Sequence, residues 1–333
     1  MFDIRNRFRS LRGQAADPTQ IQQVKADLLE ESTLDRSYLI LIVGSCAIAT
    51  FGLLSNSAAV IIGAMIVAPL MLPIRGLAFG ALRGNVNLYK KAIIAIVVGT
   101  LLAIVISCCL ALLVHISIYG SEVLARSKPT LLDLGIAVVA GGISGYAKVE
   151  PKISSSLAGT AIAVALMPPI CVIGLGLAQA NWSLSLGATL LFLTNLLGIT
   201  LACMLIFLGA GYASVARAQK PLLVTLALTA ILLIPLGVSF VRLLREAQLE
   251  ISVREALLDK TVTFQQLQLL NTDTNWLKKP PEVRLSVRAN EAVTPRQVQL
   301  LEKFIQREMG QPFTLIFDVS RVEEVQAKLN VAP

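Results

Sequence analysis

Twelve residues carry the chemistry this sequence could support, and they gather around prolines set in apolar runs: Pro69 and Pro73 in one, Pro168 and Pro169 in another. A proline inside a helix has no N–H to donate and clashes with the carbonyl four residues back, at a cost of about 3 kcal/mol. In apolar surroundings the freed carbonyls need partners, so such breaks line cavities and offer polar atoms to a solute. Asn56 and Ser57 open the first run, and Ser156, with Ser154 and Ser155, opens the second. Free N–H groups at a helix start favour anions, although capping is the commoner use of Ser and Asn there. Met65, Met71 and Met167 would make adaptable walls. Arg75 is the one basic residue deep in an apolar run; it either serves a site or snorkels to the interface near Arg83. Asn195, beside Thr194 in the middle of another run, either contacts a solute or satisfies a freed carbonyl. All of this is binding chemistry, with no bond made or broken.

Composition supports that setting. Of 333 residues, 55% are hydrophobic and only 15% charged, and the mean hydropathy is +0.72. Soluble domains are nearer 45–50% apolar and about 25% charged, so the ordinary globular class is excluded. Apolar runs at 38–54, 58–82, 92–118, 131–147, 157–178, 184–212 and 221–241 predict seven transmembrane helices, since a bilayer core of about 30 Å needs about 20 helical residues. Residues 1–12 alternate arginines with Ile4, Phe8 and Leu11, which suits either a surface-lying amphipathic helix or a basic tail. A polar helix is expected from Asp17-Pro18 to near Asp35. Residues 1–249 hold 18 basic and 10 acidic groups, against 11 of each from residue 250 onward. That excess lies where the chain meets the membrane and points to anionic headgroups rather than nucleic acid. Thirteen basic residues in short loops on the N-terminal side against four on the other predict a cytoplasmic N-terminus.

Other chemistries are poorly supplied. His115 is the only histidine, and Cys46, Cys108, Cys109, Cys171 and Cys203 include no C-x-x-C pair, so no metal site is expected and the cysteines read as small buried hydrophobes. No nucleotide-binding loop and no cofactor motif is present. Gly142-Ile143-Ser144-Gly145 matches the G-x-S-G of rhomboid-type intramembrane proteases, with His115 in the preceding helix. Those enzymes place the histidine after the serine, and small residues also serve close packing, so no enzyme is predicted. Gly76, Gly80 and Gly84 are likewise spaced for close helix approach. Glu150, with Lys148 and Lys152, reads as a solvated loop boundary.

A repeat organises the apolar region. At an offset of 96 residues, 63–80 and 159–176 share seven of eighteen positions, among them Met71/Met167 and Pro73/Pro169. Each unit, 38–118 and 131–212, contains three predicted helices, and an odd number of spans makes the second unit enter from the opposite side. The expected fold is therefore an all-α polytopic membrane protein with an inverted 3+3 transmembrane helix repeat. A tail at 1–37 precedes it, and a seventh helix at 221–245 follows. Residues 250–333 read as a small α+β soluble domain. In it, Val283, Leu285 and Val287 alternate as a strand, Thr294 caps a helix with Pro295 at its first position and Gly310 at its end, and 313–319 alternates again. A further strand is expected near 261–271.

Asn56 to Ile74, Gly159 to Ile170, and Leu193-Thr194-Asn195-Leu196 together resemble the uncharacterised hydrophobic-domain membrane family called domain of unknown function 389, over about 38–212. Arg75 stands where many members would carry a less polar residue. The resemblance implies a multi-spanning prokaryotic membrane protein, in the inner (plasma) membrane, and supplies no reaction.

The sequence thus predicts a transporter or channel for a small solute or ion, with its site between the proline-broken helices. The alternative is a non-transporting sensor or scaffold acting through the C-terminal domain. Its expected partners are the lipid bilayer, a small solute or ion, and further copies of itself in a homo-oligomer. Breaks packed dry, without polar lining, would remove the transport reading.

Overall fold

The computed structural model describes residues 17–114, 119–150, 166–258, 267–275, 280, 282–289, 293–309 and 312–320. The expectations for residues 1–12, His115, Lys152, Ser154–Ser156, the first part of the run at 157–178, and Gly310 lie outside the described residues. Two units are distinguished, 1–239 and 240–333.

The first unit is helical. Helix α1 (Pro18–Glu31) begins as its sequence requires, with Pro18 in the first turn and the Asp17 carboxylate accepting from Thr19 N at 3.2 Å. Asp35 then caps α2 (Arg36–Leu54) by accepting from Tyr38 N at 2.7 Å. There follow α3 (Ala58–Val67), α4 (Met71–Arg83), α5 (Val86–Val114), the short α6 (Ser121–Ala125), α7 (Leu131–Val149), α8 (Met167–Ala178), α9 (Trp182–Gly209) and α10 (Val215–Leu258). Among the described residues five helices are long and apolar enough to cross a membrane, or six if the bent pair α3–α4 is one span. That is consistent with a membrane protein. Seven separate spans are not observed, because only 167–178 of the run at 157–178 falls within a described helix. The last helix also outruns its predicted end at 245: α10 continues to Leu258 with Pro221 and Pro235 inside it, so the expected boundary at 250 falls within a helix.

Packing follows the rule for helices in apolar solvent, with small residues inward and large apolar ones outward. Helix α5 buries Ala92, Ala95, Gly99, Ala103 and Ser107, while Val97, Leu101 and Val105 are exposed. The absent side chain at Gly99 leaves room for Tyr38, whose hydroxyl donates to Ala95 O at 2.8 Å. Helix α7 meets α9 the same way. A Cβ at Gly141 would lie 2.6 Å from the Ile199 Cα, and Cys203 Sγ donates to Gly141 O at 3.2 Å. Of the two glycines of the G-x-S-G sequence, Gly145 packs against Cys203 and Gly142 faces open space, and the buried Ser144 hydroxyl has no hydrogen-bond partner among the described residues. Gly76 and Gly80 also sit at close contacts, with Ser32 and with the Tyr89 backbone, whereas Gly84 forms a left-handed turn at φ 66°.

Helix α8 is the centre of this unit. Every residue from Met167 to Gly176 is buried, and the helix packs on α2, α5 and α9. Ser107 Oγ, Ser185 Oγ and Tyr119 Oη donate to its carbonyls at Cys171, Ile173 and Leu175, at 2.7, 3.2 and 2.6 Å. Burial pushes the Tyr119 phenol up to about 12, so this donor keeps its proton at any physiological pH.

In the second unit β1 (Leu267–Asn275) runs antiparallel to β2 (Glu282–Ala289). Strand β2 is parallel to β3 (Thr314–Ser320), with α11 (Pro295–Met309) between them in sequence. The alternating Val283, Leu285 and Val287 are buried with Leu301 and Ile305 of α11, Phe313 and Leu315. Thr294 and Gln297 form a reciprocal cap, Thr294 N donating to Gln297 Oε1 at 2.7 Å. The small α+β reading is thereby observed, with the first strand several residues later than expected.

The α7–α9 contact makes a paired substitution informative. Gly141→Ala forces backbone apart and is expected to cost about 1–3 kcal/mol. Gly142→Ala, with nothing within 4 Å of its Cβ, should be neutral or gain up to about 1 kcal/mol of helix propensity. Thermal unfolding of the two variants in detergent checks this.

Candidate functional site

The first proline break is made by Pro69. Ala68, the residue before it, is extended at φ −66° and ψ 122°, the conformation that a following proline ring imposes. Helix α3 stops at Val67, and α4 restarts at Met71 with its axis turned by 50°. Pro73 does not break α4. It is the third residue of that helix, as Pro169 is the third of α8 and Pro168 the second. The first turn's N–H groups have no intrahelical acceptor, so a proline there forfeits no bond. The expectation is corrected for Pro73, which lies in the first turn of α4 and does not interrupt it. Pro69 bends a span, and Pro168 and Pro169 lie in the first turn of α8, whose preceding residues 151–165 are outside the described ones.

The offset of 96 reaches further in structure than in sequence. Helices α4 and α8 begin at Met71 and Met167, and α5 and α9 at Val86 and Trp182. The turns between them match bond for bond. Gly84 and Ala180 take positive φ of 66° and 53°. Asn85 N and Asn181 N donate to Gly80 O and Gly176 O, both at 2.8 Å. The same asparagine side chains cap the next helices by accepting from Leu88 N and Leu184 N, both at 3.1 Å. Helices α2 and α7, each of 19 residues, stand in corresponding places within one residue of that offset. Packing is reciprocal too: α4 lies against α9, and α8 against α5.

The predicted site residues are distributed unevenly around these features. Pro69, Pro73, Met167, Pro168 and Pro169 are buried among apolar neighbours, and Met65 and Met71 are half-buried against the same core. Asn195 is buried at 3% exposure. Asn56 is occupied elsewhere: at φ 53° it turns the chain after α2, and its Oδ1 accepts from Glu122 N at 2.9 Å and Ser121 Oγ at 3.3 Å, fastening α6. Ser57 holds the N-cap place of α3 without a side-chain cap bond. Ser156 lies outside the described residues. A groove of about 440 Å³ lies elsewhere, with Leu77, Gly80, Tyr89, Leu197, Met204 and Thr225 in its wall, and none of the twelve predicted residues lines it.

Arg75 is where polarity concentrates. Two residues beyond Pro73, it does not stand alone. Its Nη2 lies 3.2 Å from Glu31 Oε2 of α1, while Lys148 Nζ of α7 lies 2.7 Å from Glu31 Oε1 and 3.3 Å from Asp27 Oδ2. Lys148 is therefore not a solvated loop residue. Sequence reasoning missed Glu31 and Lys148 because they stand 117 positions apart and each follows an ordinary helix-end pattern. It also missed that Cys46 of α2 and Cys171 of α8 bring their sulfurs to 3.7 Å; they lie too far apart in the chain for any spacing motif.

Residues 65–201, which carry both proline sets, Arg75 and Lys148, match the profile of the family described as Domain of unknown function (DUF389). This segment of the chain is a DUF389 segment. An uncharacterized protein of Methanocaldococcus jannaschii is 28% identical over 180 residues, 54% of this chain and 56% of the relative. The match thus spans little more than half of that protein's length. Glu31 precedes the DUF389 segment, and the β-containing unit follows it.

Asn56, which precedes the DUF389 segment, gives the sharpest local test. Asn56→Ala loses two hydrogen bonds and places an alanine at positive φ, and is expected to lower stability by about 1–2 kcal/mol. Asn56→Asp keeps both the acceptor and the tolerance for that backbone, and should retain most of it. Chemical unfolding of the detergent-solubilised chain measures the difference.

Proposed function

We propose that this protein is a membrane transporter or channel for a small solute or ion, built from two three-span segments of opposite orientation. The observation that carries this reading is the recurrence at one offset of a helix start, an asparagine-capped turn and a long helix, with α4–α9 and α8–α5 packed reciprocally. Reciprocal contacts are the mark of a two-fold relation. With three spans per segment that axis lies in the membrane plane, the layout in which solute sites form between discontinuous helices. The first break keeps a polar neighbourhood through Arg75. At the second, α8 is buried from Met167 to Gly176. The protein resides in a prokaryotic inner membrane with its N-terminus cytoplasmic, as a homo-oligomer.

A second reading has one observation in its favour. Residues 240–333 carry their own core, which suits a sensor or scaffold whose ligand binds there.

Flux in proteoliposomes separates the two. Pro69→Ala frees Ala68 to become helical and lets α3 and α4 join. Transport predicts solute flux in the parent protein that falls to the level of empty vesicles in this variant while thermal unfolding remains cooperative. Unchanged flux sinks the reading, and binding confined to residues 250–333 favours the scaffold.

A further inference from the structure

The charged cluster beside the first break has an arrangement that a structural clamp does not need. Glu31 presents one carboxylate oxygen to each of two cations, Oε1 to Lys148 and Oε2 to Arg75. The cations come from different segments, Arg75 from α4 and Lys148 from the last turn of α7. All three side chains are largely withdrawn from solvent, at 15% exposure for Arg75, 13% for Lys148 and 23% for Glu31, while Asp27 is half exposed at 47%.

The fit is poor on one side. Arg75 Nη2 and Glu31 Oε2 are within charge contact, yet among the described residues Oε2 accepts no hydrogen bond and the buried Arg75 Nε has no acceptor. A guanidinium offers a planar fork of donors that a carboxylate or phosphate fills with two parallel bonds. Here the fork is met from one corner. Buried ion pairs retained for architecture usually complete their hydrogen bonds, because an unfilled donor in low dielectric is costly.

The helix that brings Glu31 is lightly seated. Only Val24 and Leu28 of α1 are buried, followed by Ser32 against the bare Cα of Gly76. Lifting α1 would carry Glu31 and Asp27 away together and leave Arg75 and Lys148 without either carboxylate.

We propose that Arg75 and Lys148 form a binding site for a small oxyanion, one cation from each segment, and that the Glu31 carboxylate occupies it as a tethered stand-in which the oxyanion displaces. The inference rests on the transport reading for its consequence, that the solute is an anion carrying carboxylate or phosphate oxygens. Displacement of Glu31 then releases α1 from Gly76 and opens the approach to the break at Pro69.

The test uses the full chain in nanodiscs of neutral lipid, with sodium phosphate, sodium acetate and sodium chloride compared at matched ionic strength. In the parent protein, phosphate should speed hydrogen–deuterium exchange of the amides of 21–31 several-fold over chloride, since α1 is displaced. In Glu31→Gln, which loses the carboxylate that bridges the two cations, phosphate or acetate should raise the unfolding temperature at concentrations well below those acting on the parent, and Arg75→Gln in that background should abolish the response. Equal effects of chloride, or a response that survives Arg75→Gln, overturn the proposal. Discs containing anionic lipid, without phosphate, identify the source: a response found only there assigns the oxygens to a headgroup and overturns a soluble solute. If Glu31→Gln does not fold, the exchange measurement on the parent decides alone, and unaltered exchange refutes displacement. Oxyanion binding without flux would sink the transport reading and leave this site standing, whereas proline-dependent flux indifferent to oxyanions would do the reverse.

Discussion

The close approach of one helix backbone to another is the constraint on which the first unit depends. Where water is excluded, every carbonyl and N–H must be satisfied by the protein itself, and apolar surface gains little by turning inward. Contact therefore comes from small residues that let backbones meet and from side chains that donate across the seam. Gly141 against Ile199 and Gly174 against Ile104 are seams of the first kind. The donations of Ser107, Ser185 and Tyr119 to α8 are of the second kind. Helix α8, though only 12 residues long, can be the centre because its neighbours supply both.

Within that framework the charged groups are the exceptions, and they are grouped. Arg75, largely withdrawn from solvent, meets its counter-charge in Glu31, on a polar helix outside the apolar segments. The same carboxylate holds Lys148, which ties both segments to α1. A single acidic residue thus sets the charge balance beside the bend at Pro69, where backbone geometry is already irregular.

Much of the fold could be read along the chain because the relevant signals are local. Asp17-Pro18, Asp35 and Thr294 are capping residues whose bonds close within a few positions, and the alternation of Val283, Leu285 and Val287 fixes a strand face without reference to anything distant. The match of Met71-Leu72-Pro73 to Met167-Pro168-Pro169 is likewise visible in the letters. What they do not show is that Pro73 lies in the first turn of its helix, because a proline in the first turn and one in the interior look alike until the preceding residues have a conformation. Asn56 was misjudged for a similar reason: its polar atoms are committed to α6, some 65 residues away.

The sequence by itself determined which segments are apolar enough to span a membrane, where the helices are capped, and that two stretches were cut to one pattern. Local hydrogen bonding, side-chain volume and hydropathy decide those matters over a few turns of chain. Tertiary structure alone decided that Glu31 meets Arg75 and Lys148, that two sulfurs 125 positions apart lie in contact, and that α8 is buried from Met167 to Gly176. These depend on which helix faces converge, and long-range packing sets that through the summed fit of many weak contacts that no single residue announces.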